Sequence, residues 1–336
     1  CPSDTAELVL DGITLHHPLT TTVTTRSAWL WSPRLWMDAP QEIWKLAREE
    51  NLSKVFLTIP MSETGDIANT EQLAVFISQS KALNLDVWAV IGDPRDVLPE
   101  NLAPLQDRVS AYIAYNVQHA DAEQIAGLQL DIEPYLIPGY SLAPGLWRDR
   151  YVQTVKSAHE ILAGNMPLEL VIPVWWGTHP QLGSLLLSQL VWPALQLNVM
   201  NYRTASENLR TGALPFLAWG QENNIAISMA LELGSIGENE TRLTFVTEAD
   251  DAQLWLVVLG DYRLFLLLSG NHPEMQGVGY TQVADRIIDN ANVTFSGELE
   301  NLHAVADAMA KEWSAWASFS GIAIHGLEEL QIKASE

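Results

Sequence analysis

The chain has 336 residues, of which 48% are hydrophobic and 18% are charged. This length and composition allow a large core in one or two domains, and they exclude a disordered tail protein and a small disulfide-stapled scaffold. The 41 acidic and 18 basic residues give a formal charge of −23, which repels phosphate backbones and anionic bilayers, so nucleic acid is not an expected partner. The 13 tryptophans suit stacking on sugar faces as well as core packing, and they favour a carbohydrate ligand.

The sequence begins with its only cysteine, Cys1. A chain with one cysteine forms no internal disulfide and no cysteine-based zinc cluster. The start Cys1-Pro2-Ser3-Asp4 resembles that of mature bacterial lipoproteins, and the resemblance implies export to the periplasm or cell surface with a lipid anchor on Cys1. The alternative is that the position of Cys1 is incidental. The longest apolar run, Leu254 to Leu268, is interrupted by Gly260-Asp261-Tyr262-Arg263, so no transmembrane segment is predicted.

Strand signals dominate the pattern along the chain. Extended strands around Asp11-Gly12 are predicted for Leu8–Thr25. Beyond them, short apolar runs alternate with helix-like segments, a pattern typical of βα units and a parallel sheet. Most of these runs are rich in leucine or β-branched residues, as strands buried on both faces should be. The eight predicted strands are Ala28–Trp31, Lys54–Ile59, Asp86–Ile91, Gly127–Ile132, Glu169–Val174, Leu195–Met200, Asn224–Met229 and Gly321–His325.

Helices fit between these strands. A capping residue three positions before a glutamine indicates two helix starts, in Asp38-Ala39-Pro40-Gln41 and in Asn69-Thr70-Glu71-Gln72. Eight βα units in a chain of this length predict an α/β fold, a (β/α)8 TIM barrel. A doubly wound sheet is the alternative, but no Gly-x-Gly-x-x-Gly follows the first strand, so a dinucleotide site is not indicated.

One long segment interrupts the repeat after the seventh predicted strand. Arg242–Ser269 alternates apolar and polar residues around Gly260-Asp261, which predicts a hairpin, and with the N-terminal segment it is expected to form a small β-rich appendage. The insertion lies on the face where barrel active sites lie, so it is either a wall of a cleft or a packing module without substrate contact. The predicted organisation is 1–26 as tether and β-rich segment, 27–234 as barrel strands one to seven, 235–290 as insertion, and 291–336 as last helix and eighth strand.

The most informative segment runs from Gly127 to Tyr135, the fourth predicted strand and its exit. With a period of two, Gln129, Asp131 and Glu133 point to one side, into the barrel and toward its C-terminal mouth. Burial and a like charge raise the pKa of one carboxyl of such a pair, and a protonated carboxyl is what a glycosidase needs to protonate a leaving oxygen. Glu133 is therefore the candidate acid and Asp131 its electrostatic partner. The alternative is a structural carboxylate pair bound to an internal arginine or to backbone amides.

Two glycosidase groups share parts of this pattern. Asp131-Ile132-Glu133 resembles the end of the acidic fourth-strand motif of the family 18 chitinases, and Met200-Asn201-Tyr202 resembles their Met-x-Tyr, whose tyrosine assists a substrate-derived nucleophile. The chain departs from that motif at two positions of the fourth strand, because the family has acidic residues where this chain has Ala126 and Gln129. It also departs at the end of the eighth strand, where the family has a tryptophan and this chain has His325.

Glu133-Pro134 is also similar to the acid/base of clan A glycosidases, which implies a nucleophilic role for Glu232 just after the seventh strand. A separation of about 5 to 5.5 Å between these two carboxyls would predict retention of configuration, and about 6.5 to 9.5 Å inversion.

The whole pattern looks most like bacterial glycosidase-like TIM-barrel lipoproteins with an Asp-Ile-Glu-Pro-Tyr signature. The resemblance implies a site built from strand ends, with Tyr202 orienting a partner carboxylate and with substrate-binding candidates at Trp29, Trp31, Asp93, Trp175, Trp176, Asn201, Arg203 and His325. Three alternatives remain open: alternate tryptophans pack under helices, Arg203 neutralises Asp131 or Glu133, and His325 is an ordinary polar residue at a strand end.

Other chemistry has no signal. The eight histidines include no His-Glu-x-x-His, and no Gly-x-Ser-x-Gly or Gly-x-x-x-x-Gly-Lys occurs, so zinc hydrolase, serine hydrolase and nucleotide chemistry are not indicated. No cofactor or metal is expected. The sequence predicts a glycoside hydrolase acting on a poly- or oligosaccharide by carboxylate acid/base catalysis. The alternative is a non-catalytic glycan-binding surface lipoprotein on a degenerate barrel, and a scaffold lipoprotein is a third possibility without a positive signal.

Overall fold

The computed structural model describes residues 5–10, 13–18, 25–137, 140, 143–178, 187–235, 240–247, 252, 254–259, 262–268 and 277–328. Eight parallel strands form a closed barrel in the order β14-β3-β4-β5-β6-β7-β8-β9. Their bounds are β3 Arg26–Leu30, β4 Leu52–Leu57, β5 Asp86–Ile91, β6 Gly127–Leu130, β7 Leu168–Pro173, β8 Leu195–Met200, β9 Ala226–Glu232 and β14 Phe319–His325. All eight predicted strands are confirmed, and the closed sheet excludes the doubly wound alternative.

Helices cover the outside of the barrel. They are α1 Pro33–Asp38, α2 Pro40–Glu49, α3 Thr70–Ala82, α4 Leu102–Gln118, α5 Pro144–Leu162, α6 Trp175–Thr178, α7 Ser206–Asn223 and α8 Leu299–Trp313. Short 3₁₀ turns lie at Pro94–Val97, Pro99–Asn101, Asp121–Glu123, Pro134–Leu136 and Asn290–Asn292. Both predicted helix starts are confirmed, but the predicted capping residue Asp38 is the last residue of α1, and Ala39 takes the N-cap position of α2. Neither Ala39 nor Asn69 caps its helix with a side chain. Asn69 instead takes a left-handed backbone conformation with φ of 55°.

The strands bury both of their faces, which explains why they are almost continuously apolar. Leucine, valine and isoleucine side chains pack outward against the helices in one large core. A second cluster fills the barrel interior, where the rings of Trp29, Phe56 and Trp88 lie beside the small residues Ala230 and Ala323. Large rings on one side of the barrel thus occupy the volume that small residues leave on the other.

A buried polar network crosses the lower barrel interior. The indole of Trp29 donates to Gln129 Oε1 at 2.7 Å, and the Gln129 amide donates to Glu169 Oε1 at 2.5 Å. Asn198 donates to the same oxygen at 3.3 Å, and Lys54 pairs with Glu169 Oε2 at 3.1 Å. Because each buried donor here has an acceptor, the interior tolerates a charge pair beneath the aromatic cluster.

Antiparallel strands lie outside the barrel repeat. The hairpin of β1 Thr5–Leu10 and β2 Ile13–Pro18 is one sheet, and β10 Glu240–Thr247, β11 Leu254–Leu259, β12 Tyr262–Leu267 and β13 Val278–Ile288 form a separate sheet in the order β10-β13-β11-β12. The strands predicted around Asp11-Gly12 pair through Leu10 and Ile13, and the strands of the hairpin predicted at Gly260-Asp261 pair through Leu259 and Tyr262. The four turn residues themselves lie outside the described residues.

The four-stranded sheet is an insertion between β9 and α8. Its two chain ends meet at the barrel, where the Phe295 amide donates to Glu232 O at 2.9 Å and Thr294 Oγ1 donates to Gly234 O at 2.6 Å. Over the described ranges, no helix is long and apolar enough to cross a membrane. Cys1, the predicted lipid attachment point, lies outside the described residues.

Candidate active site

The exit of β6 places two carboxyls at the C-terminal mouth of the barrel. Strand pairing continues one residue past β6, because the Asp131 amide donates to Ile91 O at 2.9 Å. Gly92 makes this approach possible, since a Cβ at that position would lie 2.0 Å from Asp131 O. Asp131 and Glu133 therefore leave the strand with the alternation that the sequence predicts.

Asp131 is the most perturbed carboxyl of the mouth. Burial, and next the charge of Glu133, raise its pKa to about 7, while a positive charge on His325 acts in the opposite direction. Its Oδ1 is buried, and no group in the described part of the chain forms a hydrogen bond with it. A buried carboxyl in this state holds a proton near neutral pH, which perturbed groups at functional sites often do.

Glu133 is oriented by a residue to which the sequence prediction gave no role. The hydroxyl of Tyr135 donates to Glu133 Oε2. Burial, and then the charge of Glu133, raise the pKa of Tyr135 well above its ordinary value, so the phenol keeps its proton to donate. Trp175 packs edge-on against Tyr135 at 5.4 Å between ring centroids, which brings this predicted aromatic residue to the same mouth. The available signal was the position of Tyr135 in the Asp-Ile-Glu-Pro-Tyr segment.

Tyr202 lies close to carboxyls that come from two different strands. It follows β8, and burial raises its pKa well above the usual value. The charges of Glu232, Asp131 and Glu133, in that order, raise it further. One neutral hydroxyl therefore lies within electrostatic reach of all three predicted catalytic carboxyls, which is the convergence expected at a barrel mouth.

Glu232 ends β9 with both carboxylate oxygens engaged. Oε1 accepts from the Gly234 amide at 2.6 Å, and Oε2 lies 2.7 Å from His325 Nδ1. His325 Nε2 in turn accepts from the indole of Trp31 at 3.1 Å. Glu232 is only 5% exposed, so its predicted role as a free nucleophile does not fit this environment. His325 and Trp31 do lie at the mouth, as predicted.

Three other predicted substrate-binding residues lie inside the protein. Trp29 and Trp176 are 1% and 2% exposed, because Trp29 fills the barrel interior and Trp176 packs on Tyr151 at 5.0 Å. Asn201 is fully buried, and its amide donates to Leu209 O at 2.9 Å, tying the end of β8 to α7. None of these three side chains presents a surface to a ligand, which corrects their assignment as sugar contacts.

The last two predicted residues lie at the rim. Asp93 follows β5, and the side-chain hydrogen bond from Arg95 lowers the pKa of Asp93 to about 2. Arg203 donates to Tyr202 O at 2.7 Å.

Comparison with known proteins gives structural likenesses at low identity. No protein-family model and no curated protein matches the chain. A glycoside hydrolase family 18 N-acetylglucosaminidase from Paenibacillus barengoltzii is 11% identical, with 90% of this chain and 94% of that chain covered and a TM-score of 0.47. A GH18 chitinase from Cycas revoluta in complex with (GlcNAc)3 is 14% identical, with 91% and 95% covered and a TM-score of 0.48.

The spore cortex-lytic enzyme SleL of Bacillus cereus is 8% identical, with 94% of this chain and 74% of that chain covered and a TM-score of 0.49. These likenesses concern the overall chain path and assign the chain to no family. Within the described part of the chain, no group of three or more His, Cys, Asp or Glu side chains could hold a metal ion.

Proposed function

We propose that the protein is a glycoside hydrolase that cleaves a polysaccharide containing 2-acetamido sugars at the C-terminal mouth of its barrel. The observation that carries the proposal is the pair of carboxyls at the exit of β6. Asp131 holds its proton near neutral pH because it is buried beside Glu133. Asp131 and Glu133 thus share a proton near neutral pH, and a proton shared by two carboxyls at the mouth is available for general acid catalysis on a glycosidic oxygen.

Glu133 is the proposed acid, because it lies one step further toward the mouth than Asp131 and is oriented by Tyr135. It protonates the glycosidic oxygen as the bond between that oxygen and the anomeric carbon breaks. In the second step the Glu133 carboxylate takes a proton from the water that attacks the same carbon, which restores the acid.

The nucleophile of the proposed reaction is the carbonyl oxygen of the substrate's own acetamido group. It bonds to the anomeric carbon in the first step, and water displaces it in the second, so the product keeps its configuration. Two features support this choice over Glu232. Both oxygens of Glu232 already accept hydrogen bonds, whereas Asp131 Oδ1 is buried without a partner in the described part of the chain and suits an acetamido N–H. The motif resemblance of Asp131, Glu133 and Tyr202 implies the same chemistry.

Release of reducing ends tests this proposal. The substrates are chitin oligosaccharides and a panel of bacterial, algal and plant polysaccharides, incubated with the wild-type chain and with Glu133→Gln. We expect release from the N-acetylated substrates by the wild type and a loss of about 10²-fold or more in Glu133→Gln, because the amide has no acidic proton to give. The matched control is Glu222→Gln on the exposed surface of α7, which should keep wild-type rates.

Two outcomes would contradict parts of the proposal. Equal cleavage of N-acetylated and de-N-acetylated oligosaccharides would exclude the acetamido nucleophile and return that role to Glu232. Glycan binding that Glu133→Gln leaves unchanged, without hydrolysis of any substrate, would replace the enzyme by the glycan-binding alternative.

A further inference from the structure

We infer that Trp31 and Glu232 are positioning residues that hold His325 as an uncharged ring, with its proton on Nδ1, in the wall of the candidate active site. The inference about the ring stands on hydrogen-bond geometry. Its consequence for catalysis rests on the proposed glycosidase function.

The state of the imidazole follows from what its neighbours can donate. The Trp31 indole nitrogen only donates hydrogen bonds, and it lies 3.1 Å from His325 Nε2. Nε2 must therefore offer a lone pair and carry no proton. The proton of the neutral ring is then on Nδ1, which donates to Glu232 Oε2 at 2.7 Å. Protonation of Nε2 would set two N–H groups against each other.

Both partners of the ring are themselves held in place. Glu232 Oε1 accepts from the Gly234 amide at 2.6 Å. Gly326, with φ of +77°, leaves room for this contact, because a Cβ there would lie 2.3 Å from Gly234 N and 3.0 Å from Glu232 Oε1. The main-chain N–H of Trp31 donates to Glu328 Oε2 at 2.8 Å. The array of Glu232, His325 and Trp31 thus joins the ends of β9, β14 and β3.

Aromatic neighbours also restrict rotation of the His325 ring. Trp29 and Trp31 pack edge-on against it at 5.7 and 5.9 Å between centroids, and Tyr202 lies at 6.0 Å. Residues of β3, β8 and β9 or of their exits therefore surround the ring, and a flip that exchanged Nδ1 and Nε2 would break the bonds to both Glu232 and Trp31.

The uncharged ring matters because of the ionisable groups around it. In the described part of the chain, these include Glu232 at the end of β9, Asp131 at the exit of β6 with Glu133 beside it, and Tyr202 after β8, while Glu328 lies behind Trp31. A positive charge on His325 would lower the pKa of Asp131. The Glu232 carboxylate holds the proton of the ring on Nδ1 and by itself favours a charged imidazolium, whereas the Trp31 indole opposes protonation of Nε2. By keeping His325 uncharged, Trp31 leaves Asp131 able to hold a proton near neutral pH.

Nuclear magnetic resonance of the full chain labelled with ¹⁵N-histidine tests the inference without any activity assay. Two-bond ¹H–¹⁵N correlations distinguish the Nδ1–H and Nε2–H forms, and loss of one signal in His325→Asn assigns the ring. We expect the Nδ1–H form of His325 in the wild type, with shifts that do not change between about pH 5 and pH 8, across the ordinary titration range of histidine.

Substitution of the donor should release the ring. In Trp31→Phe, Nε2 has lost the indole N–H, so His325 should titrate within that pH window, and the activity profile should move to lower pH as the new charge acts on Asp131. The matched control is Trp44→Phe, whose indole donates to Ser80 Oγ at 2.9 Å on the helical side. It should change neither the His325 signals nor the profile.

Glu232→Gln tests the other end of the array. A glutamine oxygen can accept from only one of the two donors, Gly234 N–H or His325 Nδ1–H, so we expect a population of the Nε2–H form. Titration of His325 in the wild type, or an Nε2–H form there, would overturn the inference whatever the activity. The expected ring state in a protein that hydrolyses no glycan would support the array and overturn only the proposed function.

Discussion

Gln129 shows at single-residue resolution why this barrel departs from the family 18 motif. Its amide oxygen accepts from Trp29 and its amide nitrogen donates to Glu169. A carboxylate at this position would have no hydrogen to donate and would face the charge of Glu169 in the buried interior. The buried acid of this network is Glu169 on the neighbouring strand β7, and Lys54 forms an ion pair with it at 3.1 Å. The side chain below Asp131 is therefore a structural bridge here.

Asp131 gives a pH-dependent prediction at the same scale. Its pKa is about 7 in the native chain against an ordinary value of 3.8. Unfolding therefore releases its proton more readily, so the stability it contributes is fully present below about pH 4 and is lost as the pH rises through 7. This difference in pKa between the native and the unfolded chain corresponds to at most about 4 kcal/mol in the free energy of unfolding.

We expect Asp131→Asn to be more stable than the wild type by about 2 to 4 kcal/mol at about pH 8, with the difference vanishing near pH 4. Urea unfolding at both pH values measures it, and glycan hydrolysis should be lost in the same variant. A variant of equal or lower stability at high pH would mean that Asp131 is stabilised as a carboxylate, contrary to its raised pKa.

The residues that follow the barrel strands form the mouth of the barrel. Among them, the backbone after β5 packs directly against the backbone after β6. Gly92 lets the two backbones approach, since its Cβ position lies 2.0 Å from Asp131 O and 3.0 Å from Asp131 Cα. The Asp131 amide bonds to Ile91 O across this contact. The position of the acidic segment therefore depends on a residue with no side chain.

We expect Gly92→Ala to lower the free energy of unfolding by about 3 kcal/mol, because backbone atoms must separate to admit the methyl group. Hydrolysis should fall as well, since Asp131 and Glu133 move with the strand exit. Gly145→Ala in α5 is the matched control, because nothing lies within 4 Å of its Cβ position. Denaturant unfolding measures both variants, and equal stability of the two would show that the β5–β6 contact is loose.

At the scale of the whole molecule, the described strands of the insertion between β9 and α8 form a sheet of their own and pair with no strand of the barrel. The chain leaves and re-enters the barrel at adjacent points, joined by the bonds of Phe295 to Glu232 and of Thr294 to Gly234. Strands of the inserted sheet pair with one another in the described ranges, and the barrel closes on its own eight strands. A short linker that joins these two points in place of the insertion therefore costs little loop-closure entropy.

We expect replacement of residues 236–288 by a short Gly/Ser linker to leave a cooperatively folding barrel, with a Tm within about 4 °C of the wild type. Thermal unfolding followed by circular dichroism measures this. Loss of cooperative unfolding would show that the inserted sheet is part of the barrel core. The rate of glycan hydrolysis by the shortened chain distinguishes the two interpretations of the insertion. The rate should fall if the insertion forms a wall of the substrate cleft, and it should stay unchanged if the insertion is a packing module without substrate contact.

The sequence by itself determined the barrel and the place of its acidic segment. Eight apolar runs separated by helix-like segments predict eight buried strands, because a strand covered on both faces must be apolar throughout. Period-two alternation then places Asp131 and Glu133 on the inner side of the fourth strand, since this property is local to the chain. Turn chemistry likewise located the hairpin between Leu259 and Tyr262, because Gly-Asp between two strands favours a two-residue connection.

Only the tertiary structure decided which of the other candidates share the mouth. Glu232, His325 and Trp31 belong to β9, β14 and β3, and their hydrogen bonds form because barrel closure brings those strand ends side by side. The burial of Trp29, Trp176 and Asn201 likewise depends on the neighbouring strands and helices. Local pattern predicts the direction of a side chain, whereas the groups it meets are set by long-range packing.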